Sequence, residues 1–254
     1  MKKLSTLILL TFFSFSCSNT PEESMNPFFE DYDTPYQIPP FEKIKEAHYL
    51  PAFTQGMKEQ LDEIDVITGN PNSPTFENTI VELERTGKTL NKVADVFFNL
   101  LSSNTNDEMD AIAAEISPKL SAHSDAISLN KKLFNRVHEV FEQRNELGLN
   151  TEQNRLVEET HKGFIRSGVQ LDQPSMEKLT QINQELSSLS VQFDQNLLKE
   201  TNEGFSLIVK DEKQLDGLPG DIIAAAAVTA KERGHDGKWV FTTHRPSKNP
   251  FLTY

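Results

Sequence analysis

Apolar residues recur at alternating steps of four and three along much of this 254-residue sequence. Such spacing places an apolar stripe along one face of a helix, so a chain with several stripes must pack helix against helix. The longest run consists of Phe76, Ile80, Leu83, Gly87, Leu90, Ala94, Phe97 and Leu101. We predict that these residues form the seam of one long helix, in which the small Gly87 and Ala94 allow a close helix approach.

Further helices are predicted on either side of this seam. One begins at Pro51 and ends near Gly69, and another carries Pro118, which we expect to kink or interrupt it. Thr151 is predicted to cap a later helix, and Ser175 to start the last one. The apolar stripe of that last helix consists of Leu179, Ile182, Leu186, Leu189, Phe193 and Leu197.

The pattern changes after residue 201. Residues 205–209 and 238–242 have strand-like composition, and an alanine-rich helix is predicted between them at 221–233. Two short strands and one helix are too few for an independent sheet domain. The predicted fold is therefore mainly α, with long antiparallel helices in a bundle at 41–201 and a small α/β element at 202–254.

The last residues resemble the start of a helix. Ser247 and Asn249 are residue types that cap helices, and Pro250 suits a first helical position. Only about one turn follows, which is too short to sustain itself. We therefore expect that 202–254 is the start of a mixed α/β segment leading to a missing domain, and that the sequence is cut short.

The N-terminal region has the features of an export signal. Two lysines precede a short apolar stretch, and Cys17, the only cysteine, follows it directly. This arrangement resembles a bacterial lipoprotein cleavage site, with Cys17 as the lipidated residue; an ordinary cleaved signal and a chance cysteine are the alternatives. Residues 1–17 are thus predicted as signal peptide, and the proline-rich, acidic residues 18–40 as a tether. We expect export to the bacterial cell envelope, anchored in the membrane or periplasmic.

Composition excludes some classes of function. The formal net charge is −13, and the 25 basic residues are scattered among 38 acidic ones. Nucleic-acid binding requires clustered lysine and arginine, so no nucleic-acid partner is expected. A single cysteine also rules out an intramolecular disulfide and a cysteine-based zinc site.

Several histidines invite a metal hypothesis. HEVFE, with His138 and Glu142 at its ends, approaches the H-E-x-x-H zinc motif, but its fifth residue is glutamate and one ligand is absent. We interpret it as a solvated helix face and keep a metal role for Glu142 as the lesser alternative. His123 lies on an apolar stripe, which is typical of a core histidine.

Two E-x-x-H pairs, Glu158 with His161 and Glu232 with His235, raise a di-iron bundle hypothesis. The second pair lies against Gly234 and Gly237, where the predicted helix has ended. From the residues alone we therefore assign no catalytic and no metal-binding residue to this chain. Cys17 remains as a lipidation site.

Three segments together resemble one family. They are NPFFEDYDTPYQIPPFEKIKEAHYLPAFTQGM at 26–57, PTFENTIVELERTGKTLNKVADVFFNL at 74–100 and PKLSAHSDAISLNKKLF at 118–134. The similarity is to the N-terminal half of the thimet oligopeptidase and oligopeptidase A family of zinc peptidases, and it continues to the final PFLTY. The segment Pro74 to Thr79 is its most specific part.

The resemblance implies a mostly helical protein of two lobes around a narrow channel that admits short unstructured peptides and removes their C-terminal dipeptides. It also implies a zinc ion held by the two histidines of H-E-x-x-H and a distant glutamate, all in the C-terminal half of the family. None of these residues has a counterpart here. We thus expect zinc in the full-length protein but none bound by this chain, which would be inactive alone and a monomer. The alternative is a truncated helical lipoprotein that binds peptides or proteins.

Overall fold

Residues 25–254 are described by the computed structural model of the protein. The predicted signal peptide at 1–17, Cys17 within it and the first part of the tether lie outside the described residues. The first long helix, α1, spans Tyr49–Thr68, and α3 spans Lys88–Ser103. Gly56 lies beside Leu90, and Glu63 accepts the backbone N–H of Gly87, so α1 and α3 are antiparallel.

The single helix predicted from Phe76 to Leu101 is wrong. A π-helical turn at Phe76–Val81 leads into the short helix α2 at Glu82–Arg85, and α3 begins only after Gly87. Gly87 has φ of +77°, a left-handed conformation that glycine adopts without strain and that ends the run. Gly87 still lies close to α1, because an added Cβ there would be 2.6 Å from Gln60 Nε2. The closest approach of the two backbones is at Gly56, where an added Cβ would lie 2.7 Å from the Leu90 nitrogen.

The remaining long helices also pair antiparallel. Helix α4 spans Asp107–Ser128, α5 Lys131–Gln143, α6 Thr151–Arg166 and α7 Gln173–Lys199. Asn183 of α7 donates to Asp125 of α4, and Gln195 of α7 donates to the Asp110 carbonyl of α4, so the two helices run in opposite directions. Pro118 lies inside α4 without interrupting it. The predicted bundle of antiparallel helices is confirmed.

Side-chain caps set several helix starts. Asn150 caps α6 and Asp172 caps α7, so these helices begin slightly before the predicted Thr151 cap and Ser175 start. Each cap accepts a backbone N–H from the first turn, which otherwise lacks a partner.

Two hydrophobic cores hold the helices together. The first joins α1, α3 and α4 and includes Phe28, Tyr49, Ala52, Phe53, Leu90, Val93, Val96, Phe97, Met109, Ile112, Ala113 and Ile116. Phe28 belongs to the segment assigned by composition to the tether, yet its side chain is 1% exposed against Tyr49. The second core joins the end of α1 to α5 and α6, through residues such as Ile64, Ile80 and Val137.

The C-terminal residues form the predicted small α/β element. Strand β1 at Ser206–Val209 pairs antiparallel with β2 at Trp239–Thr242, with Leu207 opposite Phe241. Helix α8 at Gly220–Glu232 connects them and shares a third core with Val209 and Phe241.

The last helix, α9, spans Arg245–Thr253. The predicted helix start at Ser247 to Pro250 is wrong, because α9 begins at Arg245 and Pro250 lies inside it. Ser247 Oγ accepts the backbone N–H of Thr242 and so ties α9 to β2.

Candidate functional site

The structure brings His138 and His161 together, a contact that the sequence does not indicate. His138 lies on α5 and His161 on α6, and His138 Nδ1 is 3.0 Å from His161 Nε2. One ring nitrogen therefore donates a hydrogen to the other. The two histidines bind each other and join their helices.

Aromatic and charged groups surround this pair. The Phe141 ring is stacked on His161, with centroids 3.9 Å apart and planes within 7°. The Arg144 guanidinium lies 4.0 Å above the same phenyl ring, a favourable cation–π geometry, and its Nε is 3.8 Å from Glu158 Oε1. The arrangement is that of a packed helix contact.

The surroundings of His161 favour its neutral form. Burial lowers the pKa of His161, and the nearby His138 and Arg144 lower it further, whereas Glu142 acts in the opposite direction. A neutral imidazole can give one hydrogen bond and receive one, which the contact with His138 uses in part. Within residues 25–254, no three side chains of histidine, cysteine, aspartate or glutamate converge on a point where a metal could bind.

The lowered pKa predicts a pH-dependent stability. Because the unfolded chain binds a proton more readily than folded His161, the stabilisation is complete above the ordinary pKa of about 6.5 and declines as the pH falls through the folded-state pKa. His123 acts with the same sign, since burial lowers its pKa too. We expect the free energy of unfolding to decrease from pH 7 to 5, by at most about 1.4 kcal/mol per pH unit for each histidine.

Denaturant unfolding at a series of pH values measures this effect. His161→Phe keeps a ring against Phe141 and should reduce the slope of stability against pH. His244→Gln, at an exposed position, is the control and should leave that slope unchanged. An unaltered slope in His161→Phe would contradict the assignment.

The other histidine candidates are structural or isolated. His123 is 8% exposed on α4 and its Nε2 lies 2.7 Å from Gln60 Oε1 of α1, as expected for a core histidine. Glu232 is the last residue of α8, and His235 follows in the turn, where its backbone N–H bonds the Ala230 carbonyl. Among the described residues, Glu232 and His235 have no further histidine, cysteine, aspartate or glutamate beside them that could complete a metal site.

The segment Pro74 to Thr79 forms a polar junction that explains its specific sequence. Thr75 and Asn78 cap each other reciprocally, with Asn78 Oδ1 accepting the Thr75 N–H at 2.8 Å. Asn78 also donates to the Ser73 carbonyl at 3.0 Å. These bonds fix the entry into the π-helical turn.

Arg136 of α5 completes this junction, and sequence reasoning missed it. Its guanidinium is buried and donates to the carbonyls of Asn70 and Asn72 and to Asn78 Oδ1, at 3.0 to 3.2 Å. The sequence did contain a signal for this role, because Arg136 lies among apolar residues at helical spacing and would therefore be expected on the buried face of its helix. The role of the junction is structural, because both terminal nitrogens of Arg136 bind groups of the same junction, while its buried Nε has no partner among the described residues.

Taken together, the described residues define a helical lobe with a small α/β extension and no convergent ligand set for a metal. No family model matches the chain. The chain is similar to dipeptidyl carboxypeptidase of Escherichia coli K12, with 40% identity over 229 residues, which is 90% of this chain and 34% of the relative. The Salmonella typhimurium protein of the same name is 38% identical over 229 residues, with the same coverage.

Oligopeptidase A of Escherichia coli K12 is 27% identical over 221 residues, which is 87% of this chain and 32% of that protein. The resemblance to the thimet oligopeptidase and oligopeptidase A family is thereby confirmed. The chain spans about a third of the length of the curated relatives it matches. The zinc that this family implies does not fit the described residues, because His138 and His161 bind each other and no third ligand joins them.

Proposed function

We propose that this chain is the N-terminal portion of a zinc metallopeptidase, a peptidyl-dipeptidase that removes C-terminal dipeptides from short peptides. The observation that carries the proposal is the 40% identity to dipeptidyl carboxypeptidase over 90% of the chain. The sequence contains no H-E-x-x-H segment, so the residues that bind zinc and activate water would lie in a further part of the polypeptide. This chain alone would then be inactive.

Within such a protein, the helical lobe would form a wall of the peptide channel. Its two cores and the Arg136 junction give a wall that does not depend on bound substrate for its shape. A rigid wall would keep the channel narrow, so that folded proteins are excluded and short unstructured peptides can enter. Short unstructured peptides are therefore the substrate class we propose. No nucleic-acid partner is proposed, since the net charge is −13.

The test is to identify the products that the polypeptide encoded by the whole gene releases from a peptide. We expect a short peptide with a free C-terminus to release dipeptides, and an amidated peptide to react much more slowly. A chelator should abolish release and added zinc should restore it. The same chain ending at Tyr254 is the control and should release nothing; hydrolysis by that control, or release of single residues, would contradict the proposal.

We also propose that Cys17 is lipidated and anchors the exported protein in the bacterial cell envelope. The support is its position directly after the apolar stretch of residues 4–15. No helix within residues 25–254 has the length and apolar character needed to cross a bilayer.

A Cys17→Ser variant tests the anchor. The wild-type protein should partition into detergent with the membrane fraction, and the variant should not. Unchanged retention of the variant would rule out the lipid, and release of both proteins as exported soluble forms would support an ordinary cleaved signal.

The alternative function is a helical binding module that needs no catalytic part. The observation that favours it is a row of exposed apolar side chains on α7, which could hold a peptide or protein partner. A binding module would bind its partner with the 254-residue chain alone, whereas the peptidase proposal requires the further segment.

A further inference from the structure

Helix α7 has its polar face inward and its apolar face outward. Toward α4, Asn183 Nδ2 donates to Asp125 Oδ1 at 2.9 Å, and Gln195 Nε2 donates to the Asp110 carbonyl at 2.8 Å. Met176 is the one buried residue of the helix, and Val191 is partly buried. The contact with α4 is thus made largely by polar and small side chains.

The opposite face of α7 carries the apolar residues that the spacing predicted for a helix seam. Phe193 is 66% exposed and Leu186 is 60% exposed. We call this face the α7 stripe, and it consists of Ile182, Leu186, Leu189, Phe193 and Leu197. At 1.5 Å per residue the stripe is about 22 Å long. A surface helix of a complete protein normally has the reverse arrangement, with its apolar residues against the core.

The groove beside the stripe continues the same surface. It lies between α4 and α7, has a volume of about 610 Å³, and is lined by Leu186 together with Phe98, Leu120 and several serines. Small serine side chains leave room for the ridges of another helix. The stripe and the groove together form a surface suited to a long apolar helix.

Two occupants of this surface can be compared, namely additional chain of the same polypeptide and a second copy of this chain. The relatives are about three times as long as the matched segment, so most of their length has no counterpart in this chain. A second copy of this chain would instead bring two polypeptides of net charge −13 together. Additional chain of the same polypeptide would not need to overcome this repulsion between two copies.

We propose that the α7 stripe is the docking surface for the catalytic part of the same longer polypeptide, which covers it with an apolar helix face. This inference rests on the proposed function. It assigns to α7 the role of joining the N-terminal lobe to the catalytic part. It also explains why α7 contacts α4 largely through polar side chains, since the apolar face of α7 would contact the catalytic part. Covering the stripe would also remove an exposed apolar patch from water.

Site-specific crosslinking tests the docking surface on the polypeptide as its gene encodes it. Phe193 is replaced by p-benzoylphenylalanine, an aromatic group at an exposed position that leaves the cores untouched. The matched control carries the same group at Gln192, which is exposed to one side of the stripe. After irradiation, mass spectrometry identifies the crosslinked peptides.

We expect crosslinks from position 193 to join it to residues beyond 254 of the same polypeptide, with several-fold lower yield from position 192. Crosslinks between the α7 helices of two copies would overturn the proposal in favour of a dimer. Equal yields from both positions, no crosslink, or a polypeptide that ends at Tyr254 would overturn it as well.

Peptide hydrolysis by the same preparation separates this inference from the proposed function. An active dipeptidase whose crosslinks join only two copies would retain the proposed function and lose the docking surface. A protein that crosslinks within one polypeptide from position 193 but releases no dipeptide would retain the docking surface and lose the proposed activity.

Discussion

Replacing Asn78 by leucine should destabilise the lobe strongly. The substitution removes the acceptor of the Thr75 N–H and of Arg136 Nη2, and the donor to the Ser73 carbonyl. Arg136 would keep a buried charge with one partner fewer, which costs more than the loss of a neutral hydrogen bond. We expect the free energy of unfolding to fall by about 3–5 kcal/mol, a large part of the stability of a typical domain.

Denaturant unfolding followed by circular dichroism measures this loss. Asn135→Leu is the control, since Asn135 is exposed on α5 beside Arg136 and leucine suits a helix. The control should change stability by less than about 0.5 kcal/mol. Equal effects of the two substitutions would show that the junction contributes little.

Adding one methyl group at Gly56 should produce the second large effect. The Cβ of alanine would lie 2.7 Å from the Leu90 nitrogen and 2.8 Å from its Cα, which are backbone atoms that cannot rotate away. Helices α1 and α3 would have to separate, which would loosen the contacts between Phe53 and Phe97 in the first core. We expect Gly56→Ala to lower the free energy of unfolding by about 2–3 kcal/mol.

Gly163→Ala is the matched control, because Gly163 also lies inside a helix but an added Cβ there meets no atom within 4 Å. Alanine is the better helix former, so this variant should be more stable than the wild type by about 0.5–1 kcal/mol. Opposite signs for the two glycines would support the close approach of α1 and α3. Stabilisation by both would contradict it.

Most helices could be predicted from the sequence, because their apolar spacing is regular. The break at Gly87 could not, since Leu83, Gly87 and Leu90 continue the spacing through a residue whose φ is positive. Spacing shows which residues share a face but carries no information on a left-handed residue within the run.

The contacts of the candidate site were harder to predict. His138 and His161 are 23 residues apart on different helices, and no local pattern links them. The α7 stripe shows a related limit: its spacing predicted an apolar face correctly, but not that the face lies at the surface. Periodicity identifies a face that needs a partner, and the partner itself is set by tertiary packing.

The α7 stripe is the structural feature that bears most directly on the proposed function. A lobe with two well-formed cores and an exposed apolar face on α7 agrees with the proposal that this chain is the N-terminal portion of a larger enzyme. The similarity to dipeptidyl carboxypeptidase over a third of that protein's length agrees with this interpretation. Zinc and water activation belong, in this proposal, to the further part of the polypeptide.

The most direct test is to read the gene beyond codon 254. We predict an open reading frame that continues in phase and encodes an H-E-x-x-H segment with a later glutamate, the ligand set of a zinc peptidase. A stop codon directly after Tyr254, with no such frame downstream, would contradict the proposal. The chain would then be a helical lobe without a catalytic part, and the binding-module alternative would replace it.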